Sequence, residues 1–267
     1  LMPKRAGSLT IPSIPFGKDT SPQLRLTVKT GAASKQGQDS GFFTEIEAST
    51  LRTWVQGQIV LTQRLYSNSN ISRYELGDIK INSMDAVIEP LGDEKQYQTR
   101  INNQPHLVIE RRFAVFPQQS GQLIIEPVLS GASMVNQSNR YDPFGRNTSV
   151  RRTRSQELKI EVAAIPTGFS ANTWLPASEI KLIDEWPSQN PEFKVGEPVT
   201  RTLTLMADGL TAAQLPEINS PQVAGLKQYP DQPTLHDRKN DDGIIGIRQE
   251  KIAFIPTRAG NYTLPAV

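Results

Sequence analysis

The chain has 267 residues, 37% hydrophobic and 21% charged, with 29 basic against 27 acidic side chains and a mean hydropathy of −0.42. That length has room for two domains or slightly more, and a net charge of +2 lacks the basic excess of a nucleic-acid-binding surface. Cysteine is absent, which excludes disulfides and thiolate metal sites, and no apolar run approaches the ~18 residues of a membrane helix.

Twenty prolines and eighteen glycines lie between short apolar runs, which suits an all-β chain with many turns. Residues 1–30 read as the C-terminal part of a β-sandwich domain whose beginning is missing, as in a piece of a longer polypeptide. Met2-Pro3-Lys4-Arg5-Ala6-Gly7-Ser8-Leu9-Thr10-Ile11-Pro12 is followed by a Pro15-Phe16-Gly17 turn and the alternating Leu24, Leu26 and Val28. Residues 31–41 have no periodicity and no bulky apolar side chain, and read as a flexible linker.

A complete sandwich domain is predicted over 42–163. Its strands are Phe43–Glu47, Ile59–Tyr66, Ala86–Glu89 and Leu107–Glu110, with a hairpin through Asn102-Asn103 and a closing strand that turns Leu158, Ile160 and Val162 inward. Between Ser130 and Ser155 the chain reads as a long, polar, mobile loop. A third unit, 172–267, repeats the order of the second but lacks a closing strand. Val195-Gly196-Glu197-Pro198-Val199 parallels Val55-Gln56-Gly57-Gln58-Ile59, although the glycine shifts by one position.

One motif organises the three units: an apolar residue, proline, three residues, glycine, a short alternating strand and a closing proline. The second copy is Phe116-Pro117-Gln118-Gln119-Ser120-Gly121-Gln122-Leu123-Ile124-Ile125-Glu126-Pro127, and the third is Ile255-Pro256-Thr257-Arg258-Ala259-Gly260-Asn261-Tyr262-Thr263-Leu264-Pro265. The pattern describes a strand ending at proline, a turn and an antiparallel return strand, with Leu123 and Ile125 facing inward. Its recurrence marks architecture, not a site.

Raw material for catalysis is sparse. The two histidines, His106 and His236, fall in different predicted domains and read as surface or turn residues. There is no G-x-S-x-G elbow and no phosphate-binding glycine loop. Asp237–Gly243 fails the calcium-loop register and reads as a hairpin turning at Asp242-Gly243. The densest positive charge is Arg146, Arg151, Arg152 and Arg154, with Phe144 nearby in the predicted loop. These five residues are the candidate partner-binding loop, for an acidic partner or anionic lipid headgroups. The plainer account, a solvated loop rich in arginine, is the preferred one. Trp54, Trp174 and Trp186 are scattered, which suits packing at domain junctions better than a sugar-stacking platform.

Several stretches together resemble the BatD family, the oxygen-tolerance or aerotolerance proteins. They are Arg111-Arg112-Phe113-Ala114-Val115-Phe116-Pro117 with Ser120-Gly121, then Trp174-Leu175-Pro176-Ala177, Val195-Gly196-Glu197-Pro198-Val199-Thr200-Arg201, Gly209-Leu210, Gln214-Leu215-Pro216-Glu217 and Tyr229-Pro230-Asp231. They span most of 43–267. The resemblance implies tandem immunoglobulin-like β-sandwich domains on the periplasmic side of a bacterial inner membrane, anchored by a helix outside this sequence. It implies partnership with von Willebrand A-domain proteins and a MoxR-type ATPase in aerotolerance or envelope-stress survival. It supplies no catalytic residues, metal ligands or cofactor.

The expected function is therefore a non-enzymatic protein-interaction module, with a carbohydrate-binding or adhesin-like sandwich as the alternative. No nucleic acid is expected as a partner. A strand-exchange oligomer is also expected, in which the segment Pro15–Val28 pairs with an exposed sheet edge of a neighbouring molecule.

Overall fold

The computed structural model describes residues 7–17, 19–28, 41–135, 148–171, 173–188 and 193–267. Among them the regular structure is all β, apart from one 3₁₀ turn at Ala212–Gln214.

At the N-terminal end β1 (Gly7–Ile11) pairs antiparallel with β4 (Leu24–Val28), and β2 (Pro15–Phe16) with β3 (Asp19–Thr20) forms a small hairpin between them. Leu9 and Ile11 are half-buried while Ser8 and Thr10 are exposed, so the expected alternation holds. Leu24–Val28 has a partner in its own chain, because Leu9↔Leu26 and Ile11↔Leu24 align on one face of the ribbon. Residues 31–40 of the expected linker lie outside the described residues. Gly41 does not belong to a linker: it is buried, and its carbonyl accepts the Asn68 N–H at 2.8 Å.

The central strands are β5 (Phe42–Ala48), β6 (Arg52–Trp54), β7 (Ile59–Ser67), β8 (Ile71–Leu76), β9 (Ala86–Pro90), β10 (Lys95–Ile101), β11 (Gln104–Pro117), β12 (Gly121–Ile125), β13 (Leu129–Val135), β14 (Thr148–Arg154) and β15 (Leu158–Ala163). One sheet runs β10-β11-β7-β5. The long β11 pairs first with β10 and then, beyond a break, with β9. Asn102 and Asn103 join β10 to β11 with φ of 49° and 63°, the backbone of a tight two-residue hairpin that suits strand twist. Two three-stranded sheets, β12-β15-β6 and β14-β13-β8, lie against this sheet.

Packing between the sheets follows from the period-2 pattern. Ile59, Leu61 and Val115 meet Leu123, Ile125, Ile160 and Val162 in one dry cluster. Phe42, Leu65 and Ile109 meet Leu76, Ala132 and Met134 in a second. Leu123 and Ile125 are fully buried, and burying each such side chain contributes about 1.5–3 kcal/mol. The ribbon β1–β4 shares the register of β12–β15: Gly7↔Val28, Leu9↔Leu26 and Ile11↔Leu24 match Gly121↔Val162, Leu123↔Ile160 and Ile125↔Leu158.

The C-terminal strands are β16 (Glu179–Glu185), β17 (Val199–Asp208), β18 (Leu226–Pro230), β19 (Thr234–Asn240) and β20 (Gly243–Pro256), in the order β16-β17-β20-β18 with β19 also on β20. This repeats the central sheet at the level of single backbone hydrogen bonds. Gln56 N–H donates to the Pro117 carbonyl at 2.7 Å, and Gly196 N–H to the Pro256 carbonyl at 2.9 Å. Leu91 N–H donates to Arg112 just as Asp231 N–H donates to Lys251. The shifted glycine is explained by conformation. The left-handed position is the same in both repeats, filled by Gly196 at φ 84° in one and by Gln56 at φ 65° in the other.

Two features break the repeat. Residues 261–265 of the third motif copy form no strand, although Tyr262 and Leu264 still pack against Leu203, Ile252 and Phe254. Among the described residues no counterpart of the β8-β13-β14 sheet covers β16, and Ile180 and Leu182 are exposed on the face they share with buried Leu205 and Ala207.

The C-terminal and central sheets touch through the tip of the β19–β20 hairpin. Ile244 is fully buried among Leu91, Ala114 and Phe116. Its N–H donates to Gln58 Oε1 at 2.7 Å, Gln214 Nε2 donates to the Gln56 carbonyl at 3.2 Å, and Trp174 Nε1 donates to the Val55 carbonyl at 2.9 Å.

Candidate functional site

The expectation of a mobile loop over 130–155 is corrected for 130–135 and 148–154, which are strands; residues 136–147 lie outside the described residues. Leu129–Val135 and Thr148–Arg154 pair with one another over seven residues, and β13 pairs on its other side with β8. Ser130, Ala132 and Met134 are buried, so the hairpin is seated on the central sheet. Arg151, Arg152 and Arg154 lie in β14 and are exposed. Alternation along the strand separates them: Arg152 and Arg154 share the outer face with Val150, and Arg151 has the opposite phase. Arg146 and Phe144 lie outside the described residues.

Arg152 and Arg154 line an open cleft with a volume of about 910 Å³. Its floor is formed by Gly77, Val128, Leu129 and Gly131, and Glu75, Asp78, Lys80 and Glu126 complete the walls. Gly77 is there because of a close backbone approach. Its N–H donates to the Leu129 carbonyl at 3.0 Å, and a Cβ at this position would sit 2.3 Å from that oxygen. Gly131 lies between Glu75 and Arg152 in a single cross-strand row, and the stem of Arg152 passes 3.7 Å from where its Cβ would be. Among the described residues neither Arg152 nor Arg154 makes an ion pair.

Other charges of the central sheet are already committed to one another. Glu110 is 3% exposed and accepts from Arg64 Nε at 2.7 Å, Arg112 Nε at 2.8 Å and the Tyr97 hydroxyl at 2.8 Å. Burial disfavours its ionised form, but the hydrogen bonds from Arg64, Tyr97 and Arg112 outweigh that and hold the carboxyl below its ordinary value. Burial, then the hydrogen bond to Glu110, pushes the Tyr97 phenol up. Arg112 Nη1 also reaches the Asp241 carbonyl at 3.0 Å in the β19–β20 turn, and Lys95 pairs with the Asp241 carboxylate. Lys239 meets Glu89 at 2.9 Å beside them. These groups fasten the junction and leave few charges free for a ligand.

The remaining candidates resolve as structure. Trp174 packs edge-on against Trp54 at 5.8 Å and against Phe169 at 4.9 Å, with interplanar angles of 74° and 89°. Rings so crossed offer no shared flat platform. Trp186 packs on Phe193 and Phe254, with the Arg201 guanidinium 5.6 Å above it. His106 is corrected from a surface residue to a buried one. It is 3% exposed, its Nδ1 lies 3.0 Å from the Gln104 carbonyl, and its ring stands edge-on to Phe43, because position 106 of β11 faces the sheet interior. The turn after β19 falls at Asp241-Asp242, one residue earlier than expected. Asn240 Oδ1 accepts the N–H groups of both Asp242 and Gly243, which closes the turn there. Among the described residues no group of three or more His, Asp or Glu side chains is placed to hold a metal, and no helix is long and apolar enough to cross a membrane.

Of the five candidate residues Arg152 and Arg154 line the cleft, and the residues of its opposite wall were not among the candidates. Ser72–Leu76 does carry a strand signal, with Tyr74 and Leu76 alternating against Arg73 and Glu75. Nothing in the order of residues ties Glu75 to Arg152. The chain matches no protein-family model and no curated protein.

Proposed function

We propose that this chain is a non-enzymatic protein-interaction module, built as tandem immunoglobulin-like β-sandwiches and working on the periplasmic side of a bacterial inner membrane as part of a BatD-like protein. The observation that carries an interaction role is the open cleft, where Arg152 and Arg154 have no ion-pair partner among the described residues while neighbouring arginines such as Arg64 and Arg112 are committed internally. The residue patterns that resemble the BatD family support the location. They also support the partner class, von Willebrand A-domain proteins working with a MoxR-type ATPase. The backbone repeat between the central and C-terminal sheets supports the tandem arrangement.

The test is capture from detergent-solubilised membranes, with the anchored full-length protein as bait. Arg152→Ser with Arg154→Ser should leave the melting temperature nearly unchanged, because both side chains are exposed and make no ion pair among the described residues. The double variant should lose a partner whose capture weakens as salt rises. Capture that is equally strong with the variant refutes the role of this cleft.

A further inference from the structure

The charges of the cleft follow the geometry of the sheet beneath it. Glu75, Gly131 and Arg152 are cross-strand neighbours in one row, on three adjacent strands. With strands about 4.8 Å apart, the backbones that carry the acid and the base stand roughly 10 Å apart over a glycine that fills nothing. In the next row the order changes: Gly77 donates to Leu129 and takes the place of the acid, and Leu129, paired with Arg154, stands in the middle. The side chains missing at Gly131 and Gly77 leave an open trough, with Leu129 on its floor.

The two long walls differ in sign. On the β14 side are Arg152 and Arg154, two residues apart and on the same face. Residues so spaced in a strand repeat every ~6.6–6.8 Å. On the β8 side are Glu75 and Asp78, and Lys80 and Glu126 add one charge of each sign. Three carboxylates and three cations give the lining no net charge, so a polyanion or a polycation gains at one wall what it loses at the other. A chain in extended conformation presents successive side chains to opposite sides. Its own i, i+2 repeat equals the spacing of Arg152 and Arg154.

We propose that the trough binds an extended polypeptide segment in which acidic and basic side chains alternate. The acidic ones face Arg152 and Arg154 and the basic ones face Glu75 and Asp78. This rests on the interaction role argued above and specifies the partner's chemistry. The volume, about 910 Å³, lies within the usual ~300–1,000 Å³ of ligand sites. A two-sided charge pattern also selects register, since a one-residue slip of the ligand places like charges together at both walls.

The test uses four fluorescently labelled eight-residue peptides against the intact chain at low salt: alternating Glu-Lys, all Glu, all Lys, and four Glu followed by four Lys. The alternating peptide should bind at least about tenfold more tightly than the other three. The charge reversal Arg152→Glu with Arg154→Glu should abolish that preference. Equal affinity for the alternating and block peptides, or no effect of the reversal, overturns the proposal. Failure here, combined with loss of membrane capture in the Arg152→Ser, Arg154→Ser variant, sinks the alternating-charge ligand and leaves the interaction role standing. Undiminished capture by that variant sinks the role of this cleft in partner binding.

Discussion

Replacing Glu110 by glutamine tests how the central sheet holds its charges. The two carboxylate oxygens are fully used: Oε2 accepts from Arg64 and Tyr97, and Oε1 accepts from Arg112. An amide of the same shape has one oxygen and one NH₂, so at least one donor must face another donor whichever way it is turned. The variant loses at least one charge-assisted bond, worth roughly 1.5–3 kcal/mol, and leaves buried donors unsatisfied. Breaking a buried pair costs about 3–5 kcal/mol, and Glu110 is 3% exposed, so Glu110→Gln should destabilise by about that amount. The pH dependence supplies an independent arm. The folded-state value of Glu110 is depressed, so its contribution is fully present above the unfolded glutamate value of about 4.3 and is lost as pH falls through the lower folded value. Urea unfolding of both proteins between pH 7 and pH 3 should show their stability difference constant at neutral pH and shrinking below about pH 4. A difference under ~1 kcal/mol at pH 7, or one that does not change with pH, refutes this account.

Two further predictions concern packing. Ile244→Ala removes the fully buried side chain that joins the β19–β20 tip to Leu91, Ala114 and Phe116, at a cost of about 2–5 kcal/mol. Calorimetry should then show two transitions in place of one, and a single unsplit transition would mean that this contact does not couple the sheets. Gly77→Ala places a methyl group 2.3 Å from a backbone oxygen, so β8 and β13 must separate at the cleft. Amide exchange at Gly77 and its neighbours should accelerate while the β12–β15 ladder stays protected, and unchanged exchange at both places would refute the close approach.

What could be read from the residues alone was whatever depends on local alternation. β5, β7, β11 and β15 were legible because large apolar side chains at every second position face a dry interior, as with Leu158, Ile160 and Val162. The Asn102-Asn103 hairpin was legible because its φ requirement selects the residue type. β13 and β14 were not. Their inward positions include Ser130 and Ala132, and Val150 points to solvent, so no apolar period marks them as strands. His106 illustrates the same limit, since its burial depends on the face of β11 and on the ring of Phe43, far away in the chain. The cleft depended most on the tertiary structure. Pairing of β8, β13 and β14 brings Glu75 and Asp78 opposite Arg152 and Arg154, and strand pairing between distant segments is set by the burial of whole faces, not by any property of the four charged residues.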